Sequence, residues 1–513
     1  MSVQEVLYSL CEYVSIGNVV LLLLCMIIGN FLWSLYDFRG MPPGPRATRA
    51  PIIGNLLSFD RGAGDLRNMT NSLRKHYGGI FALQVGSWRM VFAGSPDAVR
   101  EVLVKRSADY AGRPPFHSFH LETKGGKDIA VGNYGPAWRM HRKLFTTSLR
   151  YYLHNVPLLE SHISRQVKKL VALFDEEKGS AFNPAVLIKQ SVADVITKMT
   201  FDEAFNASHP SFDKFFKTLL YSMEDVDLNT QRVALDFFTF TKYLPFETYR
   251  KTKEMADYVF NVLKEVVDER NKTFDPSQPT TDLLTALLKA RLEAEFDTIE
   301  EKQVLLADKY LLNTLTDMFI AGYATVSDTL RWLIVYLVNY PHIQEEIHNA
   351  LDKVVGSDRT PSLDDRQQLS IIQATIMETL RFTADFTLPH YTLKDTSLCG
   401  YRVPKDSVVM VDIKSVHMDP KCWENPTEFN PHRHIDDKGE LIVNQGNWLP
   451  FSAGRRVCAG EPLAKIEVFL YSSWLLHKFR FIGEEGKPPP SLVPNRGFTV
   501  IPKPYKIHAV RRH

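Results

Sequence analysis

A cysteine near the carboxyl end of the chain stands where a thiol could be held as a metal ligand. Cys458 precedes a run with helix-forming character, Glu461–Glu467. The N–H groups and the positive end of that helix therefore point toward its sulfur, which favours thiolate. Gly454 permits a tight turn, Gly460 permits a flat group to approach the backbone, and Arg456 offers a cation for an anionic substituent.

The same segment begins at Phe451 and fits the pattern Phe-x-x-Gly-x-Arg-x-Cys-x-Gly. This pattern is the haem-binding signature of the cytochromes P450, which the chain resembles from its proline-rich segment to its C-terminus. The resemblance implies a haem b cofactor with Cys458 as the axial thiolate ligand of its iron. It also implies that Phe451, Gly454, Arg456 and Gly460 line the cofactor. The ordinary alternative for a cysteine is a buried, inert thiol.

A second pattern places an acid and a base on one helix face. Glu378 and Arg381 are three residues apart, a spacing that by itself is common on solvated helices. In the P450 family this pair is buried with an arginine from a later loop, and the resemblance assigns that arginine to Arg433. We expect a structural triad behind the haem. The family's loop usually reads Pro-Glu-Arg-Phe, so His432 and His434 are departures here.

A third pattern concerns the haem propionates. Trp138 and Arg142 are four residues apart, so they share one helix face. The resemblance assigns both residues to one propionate. It assigns His390 to the other, although a lone histidine is as often a hydrogen-bonded polar group of the core.

The run from Ala321 to Val326 lies on a long apolar helix and resembles the family's oxygen-binding motif, Ala/Gly-Gly-x-Asp/Glu-Thr-Thr/Ser. The resemblance gives Gly322 and Thr325 catalytic roles. Gly322 would leave space over the iron and let the helix distort, and Thr325 would hydrogen-bond dioxygen or a proton-delivering water.

The acid of this motif is absent, because Ala324 occupies its position. We predict slow proton delivery and release of reduced oxygen as peroxide unless another acid substitutes. Asp328 lies one turn after Ala324 on nearly the same face, and Asp317 lies about two turns before it. On this spacing Asp328 is the better substitute.

The substrate pocket is expected, from the family's arrangement, to be lined by apolar side chains. These are Phe116, Phe119, Phe319, Ala321, Phe386, Leu388 and Phe498. Aromatic and aliphatic walls indicate a lipophilic, weakly charged substrate such as a steroid, another lipid or an aromatic xenobiotic.

An uncharged apolar run extends from Val14 to Tyr36. As a helix it would be roughly 34 Å long, enough to cross a hydrocarbon core of about 30 Å. Arg39, Arg46 and Arg49 follow the run, which predicts a lumenal N-terminus and a cytosolic body. A cleaved signal peptide is disfavoured because no basic residue precedes the run. The sequence therefore predicts a single-pass anchor in the endoplasmic reticulum membrane.

Three segments are predicted along the chain. Residues 1–38 form the N-terminal membrane anchor, residues 39–50 form a proline-rich hinge, and residues 51–513 form one catalytic domain. Pro42, Pro43 and Pro45 stiffen the hinge because proline cannot continue a helix.

The body has mainly helical periodicity, interrupted by short strand patterns. Helices are predicted over Val156–Phe174, Leu187–Phe201, Tyr249–Lys272, Tyr310–Val338 and Ile343–Val354, and strands over Ile80–Val85, Arg89–Ala93, Val408–Asp412 and Thr499–Ile501. Tyr310–Val338 is apolar on nearly every face and belongs at the centre. The predicted fold is mainly α with small β-sheets, and the resemblance implies the P450 fold with a single N-terminal transmembrane helix.

Composition excludes several functions. Lysine and arginine total 61 against 59 acidic residues, a net charge of +2 that is too balanced for a nucleic-acid partner. The 5 cysteines are scattered without a C-x-x-C pair, which argues against a disulfide framework or a zinc site.

Segments Arg359–Arg366, Thr387–Thr392 and Asp395–Tyr401 resemble the animal microsomal P450s that include aryl-hydrocarbon hydroxylases and steroid 17-alpha-hydroxylase. This resemblance implies a monooxygenase that uses O₂ and electrons from NADPH through cytochrome P450 reductase, with cytochrome b5 and membrane lipid as further partners. An alternative is a reductase-independent haem-thiolate isomerase or lyase of oxygenated lipids, or a haem-binding sensor. The missing acid at Ala324 keeps that alternative open.

Overall fold

The computed structural model describes most of the chain. The described residues are 16–45, 53–55, 66–202, 205–206, 208–224, 231, 236–238, 241, 243–244, 246–294, 298, 307–385, 387–495 and 500–513. Two predicted substrate residues, Phe386 and Phe498, lie outside these ranges. So do the first 15 residues of the predicted anchor and the end of the predicted hinge.

Helices dominate the described chain. They are α1 (Ile16–Asp37), α2 (Leu66–Tyr77), α3 (Pro96–Arg100), α4 (His117–Glu122), α5 (Pro136–His154), α6 (Val156–Glu176), α7 (Ala185–Phe201), α8 (Phe212–Glu224), α9 (Glu247–Thr273), α10 (Leu283–Glu293), α11 (Asp308–Asn339), α12 (Pro341–Val354), α13 (Ser370–Thr383), α14 (Ile413–His417) and α15 (Glu461–Lys478). A π-turn at Glu101–Lys105 and 3₁₀ turns at Leu363–Asp365, Pro431–His434 and Gly454–Arg456 connect some of them.

The strands are short. They are β1 (Ile80–Val85), β2 (Trp88–Ala93), β3 (His390–Tyr391), β4 (Thr396–Leu398), β5 (Tyr401–Val403), β6 (Val408–Val411), β7 (Phe479–Gly483), β8 (Pro494–Asn495), β9 (Ile501–Pro502) and β10 (Ile507–Arg511). The largest sheet has the order β1-β2-β6-β3, and the pairs β7/β10, β4/β5 and β8/β9 are separate. His390 pairs with Val409 in this sheet, so the strand fixes its backbone position.

The predicted elements agree closely with those observed. The five predicted helices correspond to α6, α7, α9, α11 and α12, and each differs by at most a few residues at its ends. Three predicted strands correspond to β1, β2 and β6; the fourth, Thr499–Ile501, shares only Ile501 with β9, and its residue Thr499 lies outside the described residues. The prediction of a mainly α fold with small sheets is confirmed.

Helix α11 runs through the centre of the fold and packs against α7, α13 and α15. Its second half is buried on every side from Val326 to Leu337, which explains its nearly continuous apolar sequence. The helix is continuous from Asp308 to Asn339, so the distortion expected at Gly322 is not observed.

At the N-terminal end, α1 exposes apolar side chains, among them Leu21, Leu22 and Ile28. Among the described residues, no helix has the length and apolarity needed to cross a membrane. The start of the predicted hinge lies against the body: the Pro43 carbonyl accepts from the Ala82 N–H at 2.8 Å. A Cβ on Gly44 would lie 1.9 Å from the Ala82 oxygen, so glycine permits this close approach.

Candidate active site

The loop that carries Cys458 is a tight turn closed by its own backbone. The Cys458 N–H donates to the Phe451 carbonyl at 2.9 Å. Gly454 has φ +69°, and a Cβ there would lie 1.7 Å from the Leu103 carbonyl oxygen. Glycine is therefore required at this position both for the turn and for contact with the neighbouring helix.

The sulfur of Cys458 lies at the start of α15, as the sequence predicts. Burial raises the pKa of the thiol, while the N–H groups of Gly460 and Glu461 and the charge of Arg142 oppose that rise. The net direction is upward, although the side chain is accessible from one side. A bound metal ion would oppose this rise, because it favours the thiolate form of a cysteine ligand.

Three arginines form a cationic cluster beside this loop. The guanidinium groups of Arg113, Arg142 and Arg456 donate to backbone carbonyl oxygens at 2.5 to 3.3 Å. Within the described residues, none of the three forms an ion pair with an acidic side chain. Burial lowers the pKa of Arg113 to about 10, and burial followed by the charge of Arg113 lowers that of Arg456 to about 8. An anion placed here would relieve the repulsion among these cations.

His390 contributes an unpaired nitrogen to the same region. Its Nδ1 is 2.9 Å from the Tyr110 carbonyl oxygen, which can only accept, so Nδ1 carries the proton. Its Nε2 is buried and has no hydrogen-bond partner among the described residues. Burial, followed by the charge of Arg113, lowers the pKa of His390 to about 3. A nearby carboxylate would shift that pKa upward.

Trp138 and Arg142 share one face of α5, as predicted, and both reach the cysteine side. Trp138 Nε1 donates to the Ile129 carbonyl at 2.9 Å, and the Arg456 guanidinium lies 4.2 Å from the Trp138 ring centre. Arg142 donates to the Val457 carbonyl. That these two residues bind a propionate stays a prediction.

The donor set fits a haem. A thiol at a helix start suits the iron. The buried Arg113 and Arg456, the half-buried Arg142 and the unpartnered nitrogen of His390 suit two propionate carboxylates. Arg113 was not identified from the sequence, because an arginine before Pro114 and Pro115 carries no motif of its own. Only its burial beside Arg456 and His390 reveals it.

Behind this region, Glu378 forms a closed ionic cluster. Arg381 donates to both of its oxygens at 2.8 and 2.9 Å, and Arg433 donates to Oε1 at 3.0 Å. His434 is also present, with Nε2 3.0 Å from Oε2. Burial would raise the pKa of Glu378, but the hydrogen bonds from Arg381 and His434 lower it to about 2. The geometry matches the predicted triad and adds His434, a residue that departs from the family's usual loop.

On α11, the residues of the predicted oxygen motif divide between two faces. Ala321 and Thr325 are exposed, whereas Tyr323 and Ala324 are buried with Ala193 of α7. The Thr325 hydroxyl donates to the Ala321 carbonyl at 2.7 Å. The open face therefore presents Ala321 and Thr325, and the position of the missing acid faces the core.

The geometry gives Gly322 a different role from the expected one. A Cβ at Gly322 would lie 2.8 Å from Ile196 Cδ1. The glycine therefore allows α11 and α7 to approach closely, and the space that it leaves is directed at α7 and away from the face of Thr325.

The two candidate substitute acids also differ from expectation. Asp328 is buried and paired with Arg331 at 2.8 Å. This pairing disfavours Asp328 as the substitute acid, because protonation would leave the buried Arg331 without its counter-charge. Asp317 is half-buried, and its Oδ2 accepts from the N–H groups of Ile129 and Ala130.

The predicted substrate residues are only partly brought together. Phe119 and Leu388 are half-buried, and Phe116 packs edge-on against Trp88 with ring centres 5.3 Å apart. Phe319 is fully buried and stacks on Phe201. The structure does not place Phe319 on the open face with Ala321, because its side chain fills the core between α7 and α8.

Comparison with known proteins identifies the family of this chain. The family model for Cytochrome P450 matches residues 42–509. The chain belongs to the cytochrome P450 family. It is therefore an oxidoreductase of the monooxygenase class, and in this family a cysteine thiolate holds the haem iron.

Other P450s match the chain over nearly its whole length. The steroid 17-alpha-hydroxylase/17,20 lyase of Oryzias latipes is 32% identical over 502 residues, which cover 96% of each chain. Cytochrome P450 2U1 of Homo sapiens is 31% identical over 517 residues, covering 96% of this chain and 93% of that one. A zebra fish cytochrome P450 solved with Abiraterone has 30% identity and a TM-score of 0.75, and the match covers 88% of this chain and 99% of that chain.

Proposed function

We propose that this P450 hydroxylates a lipophilic small molecule, and that the substrate class is steroid. The observation that carries the proposal is the arrangement around Cys458, where a thiol at a helix start lies beside Arg142 and Arg456, whose guanidinium groups donate to backbone carbonyls. The steroid class is supported by relatives named steroid 17-alpha-hydroxylase/17,20 lyase and by a zebra fish P450 structure with Progesterone.

The residues around Cys458 would bind different parts of the haem. Cys458 is the ligand of the iron, and Arg113, Arg142, Arg456 and His390 hold the propionates. When bound, the haem supplies oxygen activation, to which the thiolate contributes electron density.

On the opposite side, the Thr325 hydroxyl lies on the exposed face of α11 and can hydrogen-bond water or dioxygen in the pocket. Ala321 leaves that face open for substrate, and the half-buried Phe119 and Leu388 supply apolar wall.

We propose that electrons come from NADPH through cytochrome P450 reductase, with cytochrome b5 as a second donor. Arg139 and Lys143 of α5 are exposed on the helix that reaches the cysteine loop. Such cations suit an acidic flavoprotein, because complementary charge speeds association. His141, between them, is buried against Tyr310 and does not contribute to this surface.

We propose that the N-terminal segment attaches the enzyme to the endoplasmic reticulum membrane as a single-pass anchor, with the catalytic domain cytosolic. The support is the exposed apolar surface of α1 and the uncharged run that includes it. Deleting residues 1–38 should release most of the protein from membranes while haem binding persists. Loss of haem on truncation would contradict the proposal.

The test of the activity uses purified full-length enzyme in lipid with reductase. Progesterone is titrated while the haem spectrum is followed, and then product is measured with and without NADPH. We expect a spin-state shift and hydroxylated product only with NADPH. Fatty acids and planar aromatics serve as comparison substrates, and a response confined to them would reject the steroid class.

The second candidate is an isomerase or lyase of oxygenated lipids that needs no reductase. The observation that favours it is Ala324, which is buried and cannot act as the acid of the oxygen motif. Conversion of a lipid hydroperoxide without NADPH or reductase, combined with no NADPH-dependent product, would select this candidate.

A further inference from the structure

Two carboxyl groups cap the same turn between α4 and α5. Asp317, from α11, accepts the N–H groups of Ile129 and Ala130 at 2.8 and 3.1 Å. Asp128, from the turn itself, accepts the N–H of Val131 at 2.8 Å through Oδ2. Three consecutive N–H groups are thus capped by two acids that come from different elements.

One oxygen of this pair has no partner. Asp128 is 4% exposed, and its Oδ1 forms no hydrogen bond among the described residues. A buried carboxylate oxygen without a hydrogen-bond partner is unfavourable, and a bound proton removes the charge that makes it so. The geometry therefore favours one proton on the pair.

The pKa values of the two carboxyl groups also favour one bound proton on the pair. Burial raises the pKa of Asp128, although the Val131 N–H and the cations Arg456 and Arg113 oppose it. Burial, followed by the charge of Asp128, raises the pKa of Asp317. Two carboxylates that interact in this way favour a state in which only one of them is ionised.

Asp317 also connects the pair to the open face of α11. Asp317, Ala321 and Thr325 follow one another at intervals of four residues, so they form one row along the helix. Asp317 is half-buried in this row, while Ala321 and Thr325 are exposed. The distance from Asp317 to Thr325 along the axis is roughly 12 Å, so water must carry a proton between them.

We propose that Asp128 and Asp317 share a proton and that Asp317 delivers it to the water beside Thr325, in place of the acid missing at Ala324. The proposal rests on the proposed monooxygenase function. That reaction consumes the substrate C–H, O₂, two electrons from NADPH through the reductase and two protons, and it yields C–OH and water. In each delivery the Asp317 O–H bond breaks, a pocket water accepts the proton, and bulk water reprotonates the pair.

The first experiment detects the proton itself. Infrared difference spectra of the full-length holoenzyme are recorded between acid and neutral pH for wild type, Asp128→Asn and Asp317→Asn. Asparagine keeps an oxygen that caps the turn but cannot hold the proton. We expect a carboxylic-acid band that persists above the usual range of aspartate and is lost in both single variants.

A control separates this band from a second buried acid. Glu467 is fully buried, and burial raises its pKa to about 8, so it contributes a band of its own. Glu467→Gln should remove only that second band. A spectrum that neither aspartate variant changes would overturn the shared proton.

The second experiment measures product formed per NADPH consumed, together with hydrogen peroxide. Asp317→Asn should lower this coupling about tenfold or more, and Asp128→Asn should also lower it. Asn313→Ala is the matched control for a loosened loop, because Asn313 donates to the Thr123 and Lys127 carbonyls of that loop without carrying a proton.

The outcomes are distinct. Wild-type coupling in Asp317→Asn, or equal losses in Asn313→Ala and Asp317→Asn, would overturn the relay. Absence of any NADPH-dependent product in wild type would reject the proposed function, and the infrared band would still decide whether the pair holds a proton.

Discussion

The protein contains two buried ionic clusters of opposite character. The Glu378 cluster is closed: both carboxylate oxygens accept from Arg381, with further partners in Arg433 and His434. The cluster beside Cys458 is open: in the part of the chain that the structure describes, its arginines form no ion pair with an acidic side chain, and His390 Nε2 has no hydrogen-bond partner. A complete set of partners indicates a structural lock, whereas buried polar atoms without partners indicate a binding site.

The cysteine loop joins the two clusters, so its ligand gives the largest expected effect. Leu449 N–H donates to His417 Nε2 on the closed side, and Arg456 lies in the open cluster. We predict that Cys458→Ala abolishes the red-shifted Soret band of the ferrous–CO complex. Cys422→Ala is the control and should keep it. A persistent band in Cys458→Ala would reject the assignment of the iron ligand.

The second-largest effect is expected for the closed Glu378 cluster. Glu378→Gln leaves buried cations without a counter-charge, and we expect a loss of about 3–5 kcal/mol in the free energy of unfolding, measured with urea. Glu346→Gln, which removes the exposed pair with His432, should cost less than about 1 kcal/mol. Similar losses in the two variants would show that the Glu378 cluster is not a lock.

The pH dependence of that loss follows from the direction of the Glu378 pKa. The folded-state pKa of about 2 lies below the usual value of 4.5. The stabilisation is therefore complete above the unfolded pKa and is lost as the pH falls toward 2. The difference in unfolding free energy between wild type and Glu378→Gln should be constant at neutral pH and shrink in acid. A difference that grows below pH 4.5 would contradict this sign.

Each of the two clusters contains a buried histidine, and the two histidines differ in their hydrogen bonds. His417 uses both ring nitrogens, with the Arg381 carbonyl and the Leu449 N–H, whereas His390 uses only one. We predict that His417→Phe lowers the free energy of unfolding by about 1–3 kcal/mol. We predict that His390→Phe mainly accelerates transfer of haem to an acceptor protein, by about tenfold. An equal stability loss in both, with unchanged haem transfer, would remove the distinction.

The smallest expected effects compare the two faces of α11. Ala324→Leu overpacks the buried contact with α7 and should cost about 1–3 kcal/mol. Ala321→Leu, on the exposed face, should leave stability nearly unchanged and weaken the substrate-induced spin shift. Thermal unfolding and substrate titration of both variants provide the measurement. A spin-shift change in Ala324→Leu alone would reverse the assignment of the faces.

The family and the elements that carry its chemistry can be predicted from the sequence. The spacing around Cys458, the pair Glu378 and Arg381, and the apolar periodicity of α11 are local patterns, and local patterns predict local structure. For the same reason the predicted helices and strands match those observed within a few residues.

Which side chains contact one another depends on the packing of distant segments and could not be predicted from the sequence. Arg113 belongs to the open cluster and His434 to the closed one. Each is brought there by a contact with a segment far away in the chain, which no spacing rule predicts. Asp328 is closer to Ala324 in sequence than Asp317 is, but its carboxylate is paired with the buried Arg331, a contact that disfavours it as a proton donor. The orientation of a side chain toward core or pocket depends on the packing of neighbouring helices, and that packing directs Ala324 inward and leaves Thr325 open.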